Sequence, residues 1–164
     1  MSSTLLSLID HYGYLFFYVA LSLGPFGVPI PNEITVITGA ILSGSGVLNI
    51  GMTYISILSG LLTAITLFHF AGRKFGQHLK HKFQHSRNFQ QAEKILSQRG
   101  DWAMCIGIFI PVVRYFLPFL IGFNRGSLKK FMIISYSSAL VWTLTFFTAG
   151  TSFGHHLLSF FNHF

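Results

Sequence analysis

The sequence predicts an all-α integral membrane protein with an inverted-repeat core: two opposed re-entrant helical hairpins, plus transmembrane helices. Three observations predict this. Charge is scarce, with 9% of the 164 residues Asp, Glu, Lys or Arg, against about 25% in ordinary soluble domains. Residues 11–32, 34–72 and 131–164 carry none of the four, and about 20 such residues cross a hydrocarbon layer roughly 30 Å thick. Two apolar segments are also broken by proline, at Pro25, Pro29 and Pro31 and again at Pro111 and Pro118.

The chain reads as one membrane domain, 1–164, in seven parts. Residues 4–23 form an N-terminal helix. No Lys or Arg precedes its apolar run and no small-residue cleavage pattern follows, so it is expected to be retained rather than removed as a signal peptide. Whether it spans or lies at the interface stays open. Residues 24–48 hold "PFGVPIPNEITVITGA" and then a Gly- and Ser-rich run, and are read as the first re-entrant hairpin. Residues 50–72 are an uninterrupted span closed by "AGRKFG".

Residues 73–101 are a basic loop, helical in part. Seven of the 11 basic residues fall there (Arg73, Lys74, Lys80, Lys82, Arg87, Lys94, Arg99), with Glu93 between them and Asp101 at the end. In "NFQQAEKILSQRG" the spacing of Phe89, Ala92, Ile95 and Leu96 gives an amphipathic helix stopped by Gly100. Residues 102–124 are the second hairpin, 128–150 the second span, and 151–164 a tail with His155, His156 and His163.

Orientation follows from the basic clusters, because cytoplasmic loops are enriched in Lys and Arg. A cytoplasmic 73–101 makes span 50–72 run inward. One crossing by 102–124 would then put Arg125, Lys129 and Lys130 outside; entering and leaving from the cytoplasmic face avoids this. A hairpin also accommodates Pro111 and Pro118, since irregular backbone survives at membrane depth only where protein or a wet cavity covers it. The first hairpin enters from the opposite face. The two motifs match loosely, with Glu33 six residues before Gly39 and Arg114 eight before Gly122. Interrupted helices meeting near the midplane are how many transporters build a substrate site.

Glu33 and Arg114 are the charges set deepest in apolar sequence. A charge at the bilayer centre costs about 2.5–3.5 kcal/mol on insertion scales, so each is expected to face a partner, water or substrate. One reading pairs them to lock the hairpins. The other gives Arg114 a phosphate to fork around, while Glu33 holds the guanidinium, takes a cationic headgroup or exchanges a proton. Pro31, Asn32 and Pro111, beside the two charges, complete the candidate substrate-binding set; Arg125, His69 and Arg73 are secondary. His69 reads either as a proton relay or as a packed histidine, and Asp10 and Asp101 as helix caps.

Other chemistry finds no support. Cys105 is the single cysteine, which rules out an internal disulfide. The tail histidines fit a wet terminus better than a metal site, and "GSG" at 44–46 lacks the frame of a serine nucleophile elbow. The chain is expected to be no enzyme and to need no cofactor. Its basic stretch fits a cytoplasmic loop or anionic headgroups rather than nucleic acid.

Taken in order, "PIPNE" (29–33), "TGAILSGSG" (38–46), "AGRKFG" (71–76), "FIPVVR" (109–114), "IGFNRGSLKKF" (121–131) and the stretch from Trp142 to Gly154 resemble the DedA family, which shares the VTT or SNARE-associated domain. The resemblance covers about residues 20–154. It implies two opposed re-entrant hairpins and lipid translocation, of undecaprenyl phosphate or phosphatidylethanolamine in bacterial members and of phospholipids in eukaryotic ones. Glu33 matches the family's acidic position and Arg114 the second arginine of its arginine-Phe-x-Pro-x-x-arginine pattern. Three departures stand out. Ile108 replaces the first arginine, Ile65 and Thr66 lie where a Gly-Asp pair is usual, and no second acid follows Glu33. These departures separate the chain from members with a proton-coupled scheme built on several acids.

One arginine and one carboxylate suit a zwitterionic headgroup better than a purely anionic one. The expected function is therefore transport of a phospholipid, phosphatidylethanolamine first and undecaprenyl phosphate as the alternative, across the bacterial cytoplasmic membrane. The expected partner is a membrane lipid, through its phosphate headgroup. A proton-coupled ion transporter and a non-transporting scaffold are the readings from other classes. Whether the chain acts alone or as a homo-oligomer stays open.

Overall fold

A computed structural model describes residues 2–23, 31–111 and 113–161. The described residues contain seven α-helices and no strand. They are α1 (Ser2–Leu23), α2 (Asn32–Gly44), α3 (Ile50–Phe83), α4 (Arg87–Arg99), α5 (Ala103–Gly107), α6 (Val113–Phe123) and α7 (Leu128–Phe161), with a 3-10 turn at Gly100–Trp102. Pro25 and Pro29 lie outside the described residues, so the entry to the first expected hairpin is not seen.

Two helices hold stretches long and apolar enough to cross a bilayer: Ile50–Gly76 in α3, 27 residues, and Leu128–Phe153 in α7, 26 residues. At 1.5 Å per residue each is about 40 Å long, beyond the roughly 30 Å required. Only 33% of each most apolar window is buried. Side chains such as Ile55, Leu67 and Phe70 on α3 and Ile133, Val141 and Leu144 on α7 are exposed, and faces this greasy need lipid rather than water. α3 does not stop at the basic pair but carries Arg73 and Lys74 on one continuous helix to Phe83.

The chain forms two compact units, Met1–Leu61 with Thr143–Phe164, and Leu62–Trp142. In the first, α1 buries Phe17, Leu21 and Ser22, spaced to fall on one helical face. α1 passes so close to α3 that a Cβ at Gly60 would stand 2.6 Å from the Tyr18 carbonyl oxygen. The turn between α2 and α3 needs Gly46 at φ +78°. The Asn49 side chain then caps α3 by accepting from the Met52 N–H at 3.2 Å, while the Asn49 N–H donates to the Tyr14 hydroxyl at 3.0 Å.

In the second unit, α4 buries Phe89 and Ala92 and half-buries Ile95 and Leu96. Phe89 meets Phe116 and Phe119 of α6 edge-on, at centroid distances of 5.7 and 6.4 Å. Gly100, at φ +56°, ends α4. α5 and α6 break near Pro111, and α5 presses Gly107 against the Leu117 side chain. The pyrrolidine nitrogen of Pro118, inside α6, supplies no N–H for the carbonyl four residues back, that of Arg114.

The element order repeats. A short helix, a tight turn and a 34-residue helix occur twice, as α2–α3 and α6–α7, and the long helices begin and end 78 residues apart (Ile50 and Leu128, Phe83 and Phe161). At that offset "FHFAGRKFGQHL" (68–79) faces "FFTAGTSFGHHL" (146–157), with Phe, Ala, Gly, Phe, Gly, His and Leu shared. Packing follows the same register. Gly150 of α7 receives Ala40 and Ile37 of α2, and Gly44 of α2 lies under Thr151. Gly72 of α3 receives the Phe119 backbone of α6, and Gly122 of α6 lies under the His69 carbonyl. Gly44, rather than the Gly39 that the proline motifs suggest, is thus the counterpart of Gly122.

Candidate functional site

Glu33 sits in the first turn of α2, after Pro31 at the cap and Asn32 at the first helical position. Pro31 suits the cap because its φ of −59° and ψ of 128° are extended and its carbonyl accepts the N–H groups of Ile34 and Thr35 at 3.0 and 3.2 Å. A carboxylate in a first turn also meets the positive end of the helix dipole. Asn32 is buried, Glu33 half-buried and Pro31 exposed. All three belong to the first unit.

Arg114 belongs to the second unit and is 1% exposed. It is the second residue of α6, and its guanidinium carbon stands 4.5 Å from the centre of the Trp142 ring on α7. A desolvated cation over indole is worth about 2 kcal/mol or more, which helps to hold the charge in an apolar interior. A cation at a helix N-terminus also adds to the dipole's positive end instead of cancelling it, so this end of α6 concentrates positive potential suited to an anion. Pro111, before α6, is exposed.

The secondary candidates separate. Arg125, exposed at φ 52°, follows the end of α6. It lies 11 residues beyond Arg114 in the sequence. The position of the family's first arginine is filled by Ile108, wholly buried. Arg73 is exposed on α3. His69, one turn before it, is wholly buried and stacked on Phe131 of α7 at 4.1 Å and 18°. Thr66 and the Tyr136 hydroxyl, 2.7 Å apart, share a hydrogen bond; Thr66 also donates to the Leu62 carbonyl. Cys105 receives a long contact, 3.5 Å, from the Ser138 hydroxyl.

Among the described residues no group of three His, Cys, Asp or Glu side chains is placed to hold a metal. The side chains of Asp10, Asp101, His155 and His156, and all of His163, lie outside what is described. Two features escape motif reading: the Trp142 ring under Arg114 and the Phe131 ring under His69. Both partners are ordinary aromatic residues of an apolar helix, and only the folded path of α7 brings them there.

The VTT domain family model matches residues 30–152. The membrane protein YbfM of Bacillus subtilis, uncharacterized, is 28% identical over 152 residues, 90% of this chain and 94% of its own length. Protein DedA of Escherichia coli K12 is 27% identical over 146 residues, 85% of this chain and 65% of its own. Undecaprenyl phosphate transporter A of Bacillus subtilis is 24% identical over 145 residues, 84% of this chain and 72% of its own. No solved structure matches the chain. The chain therefore belongs to the VTT-domain, or DedA, family. Its exposed apolar helices agree with the relatives' description as membrane proteins, and it is an integral membrane protein.

Proposed function

We propose that the protein carries a phosphate-bearing lipid headgroup across the bacterial cytoplasmic membrane, with Arg114 as the phosphate-binding residue. The observation that carries this reading is the burial of Arg114 at the N-terminus of α6 over Trp142. A fixed cation, a helix dipole and an aromatic wall make a dry site for one anionic group. The acyl chains would stay in lipid against the exposed faces of α3 and α7. This work is that of a carrier, not an enzyme.

In the same reading, α2 and α5–α6 are the two re-entrant elements, the 78-residue repeat is an inverted one, and residues 73–101 lie on the cytoplasmic side. The twice-repeated helix order supports the first two points, and the basic residues with the exposed Trp102 beside Arg99 support an interfacial level there. Phosphatidylethanolamine is the favoured substrate: with Ile108 in place of the family's first arginine, the site at α6 offers one buried guanidinium to one phosphate, which suits a zwitterionic headgroup better than a purely anionic one. Undecaprenyl phosphate is the second reading, favoured by the printed function of the Bacillus subtilis relative.

The test is headgroup-resolved lipid movement in proteoliposomes, wild type against Arg114→Ala at matched folding. Acceleration of phosphatidylethanolamine movement, lost in the variant, is expected. A wild-type protein that speeds no phospholipid, or an Arg114→Ala protein as fast as wild type, refutes the reading.

A further inference from the structure

Charge is divided unevenly between the two units. Leu62–Trp142 holds all 11 Lys and Arg residues against two acids, Glu93 and Asp101, a side-chain charge of +9; the first unit holds two acids, Asp10 and Glu33, and no Lys or Arg. One end of the second unit gathers four of these cations. Gly122, near the end of α6, lies against the backbone of His69 and Arg73 on α3, and Gly76 of α3 lies against the Phe123 ring. His69 in turn stacks on Phe131 of α7. Three helix segments therefore meet, and they bring Arg73 and Lys74 of α3, Arg125 of the α6–α7 turn and Lys129 of α7 to that end, all exposed.

Two of the four stand where local structure disfavours them. α6 ends in a doubly bonded turn: the Arg125 N–H donates to the Gly122 carbonyl and the Gly126 N–H to the Ile121 carbonyl, each at 3.1 Å. The residue in the place of Arg125 takes the left-handed conformation, here φ 52°, and is most often glycine. The sequence does have a glycine, but one residue later, at Gly126. Lys129 is the second residue of the 34-residue α7, where the positive end of the helix dipole repels a cation. A nearby anion relieves that repulsion, and a strained backbone kept for the sake of its side chain is a mark of function.

The neighbouring side chains select the anion. Phe70 precedes Arg73 and Lys74 by three and four residues, and Ile133 follows Lys129 by four, so the members of each pair share a helix face. Phe70 and Ile133 are exposed, and Lys74 stands 5.5 Å from the centre of the exposed Phe75 ring. Charge and grease thus adjoin on both helices, which suits a molecule with a phosphate at one end and acyl chains at the other. We propose that Arg73, Arg125 and Lys129 dock the phosphate of an anionic phospholipid of the surrounding membrane, its chains along the faces that begin at Phe70 and Ile133. This surface lies outside the buried Arg114 site and does not rest on the reading of that site. Near a membrane surface each such cation strengthens anionic-lipid binding about fivefold.

The test uses the full chain in neutral maltoside micelles, with binding of phosphatidylglycerol and of phosphatidylcholine of equal chain length followed by native mass spectrometry. Wild type should prefer phosphatidylglycerol by about tenfold or more. Arg125→Gly should weaken phosphatidylglycerol about fivefold, while its Tm without lipid stays the same or rises, because glycine accepts φ 52° freely. A merely structural Arg125 would show no loss of lipid. Arg73→Gln added to Arg125→Gly should bring the loss to roughly 25-fold, and Arg99→Gln, an exposed cation of α4 outside the cluster, should change affinity by less than about twofold. Dimethyl phosphate, the same phosphodiester without chains, should not displace the lipid; displacement at equal concentration would make this a free-phosphate site and overturn the membrane-lipid proposal. No headgroup preference in wild type, a preference that survives the double variant, or an Arg99→Gln loss equal to that of Arg125→Gly also overturns it. Arg114→Ala separates the two sites: it should keep the preference, whereas a preference lost there and kept in Arg125→Gly belongs to the transport site and refutes this one.

Discussion

The crossing of α3 and α6 at Gly72 and Gly122 makes the sharpest stability prediction. A methyl group on Gly72 would overlap the carbonyl oxygen of Phe119, with its carbonyl carbon and Cα within 2.9 Å; one on Gly122 would overlap the His69 carbonyl oxygen, with the Arg73 nitrogen at 3.2 Å. The obstacle is backbone in both cases, so no rotamer change relieves it and the helices must part by on the order of 1 Å. A radial gap of 0.5–1 Å forfeits about a quarter to a half of each affected dispersion contact, and overpacking costs about 1–3 kcal/mol and occasionally more. We expect about 3 kcal/mol for Gly72→Ala and for Gly122→Ala. At roughly 2–4 °C per kcal/mol for a chain of this size, Tm falls by roughly 6–12 °C. Thermal unfolding in detergent, followed by circular dichroism, measures it. Gly51→Ala is the control: it is an exposed helical site whose nearest atom is a side-chain oxygen at 3.4 Å, where alanine gains about 0.5–1 kcal/mol. Crossing variants that melt with the control would show that the backbones are not in contact.

Four further outcomes are expected. Gly150→Ala meets the Ala40 methyl at 2.7 Å, with the Ile37 carbonyl oxygen no nearer than 3.3 Å, and its loss of Tm should be smaller than that of Gly72→Ala in the same melts. Arg114→Lys keeps the charge but loses the flat fork over Trp142; lipid movement in proteoliposomes, compared at matched folding, should fall by about tenfold or more. Thr66→Val and Tyr136→Phe break one shared hydrogen bond, so each should cost about 1 kcal/mol in unfolding measurements and the double variant less than the sum. Phe89→Ala empties a wholly buried place between α4 and α6, at about 3–5 kcal/mol, and should raise hydrogen exchange in α4 first.

Charge scarcity made the spans legible. An apolar run without Lys, Arg, Asp or Glu has one stable environment, and the expected 50–72 and 128–150 fall inside Ile50–Gly76 and Leu128–Phe153. Arg114 was legible for the same reason, a lone cation being conspicuous where insertion is costly. Its partner was not, because Trp142 lies on a different helix and nothing local marks it. The basic pair marks a change of composition rather than a helix end: Lys and Arg are good helix formers, and α3 runs on through the expected part-helical segment to Phe83. The repeat is hidden at the proline motifs, where Glu33 faces Pro111 at the offset of 78. It is plain at the ends of the long helices, where small residues are demanded by touching backbones. His69 carried no mark of its stacking on Phe131, which lies on a different helix.

The exchange of partners between the repeats has a consequence for the chain as a polymer. α2 finds a seat on α7 and α6 one on α3, so each short helix leans on the other repeat's long helix as well as on its own. Severing the connection near residue 84 would leave two fragments that each keep part of the dock for their short helix, and mixed together they hold every surface needed to rebuild both units.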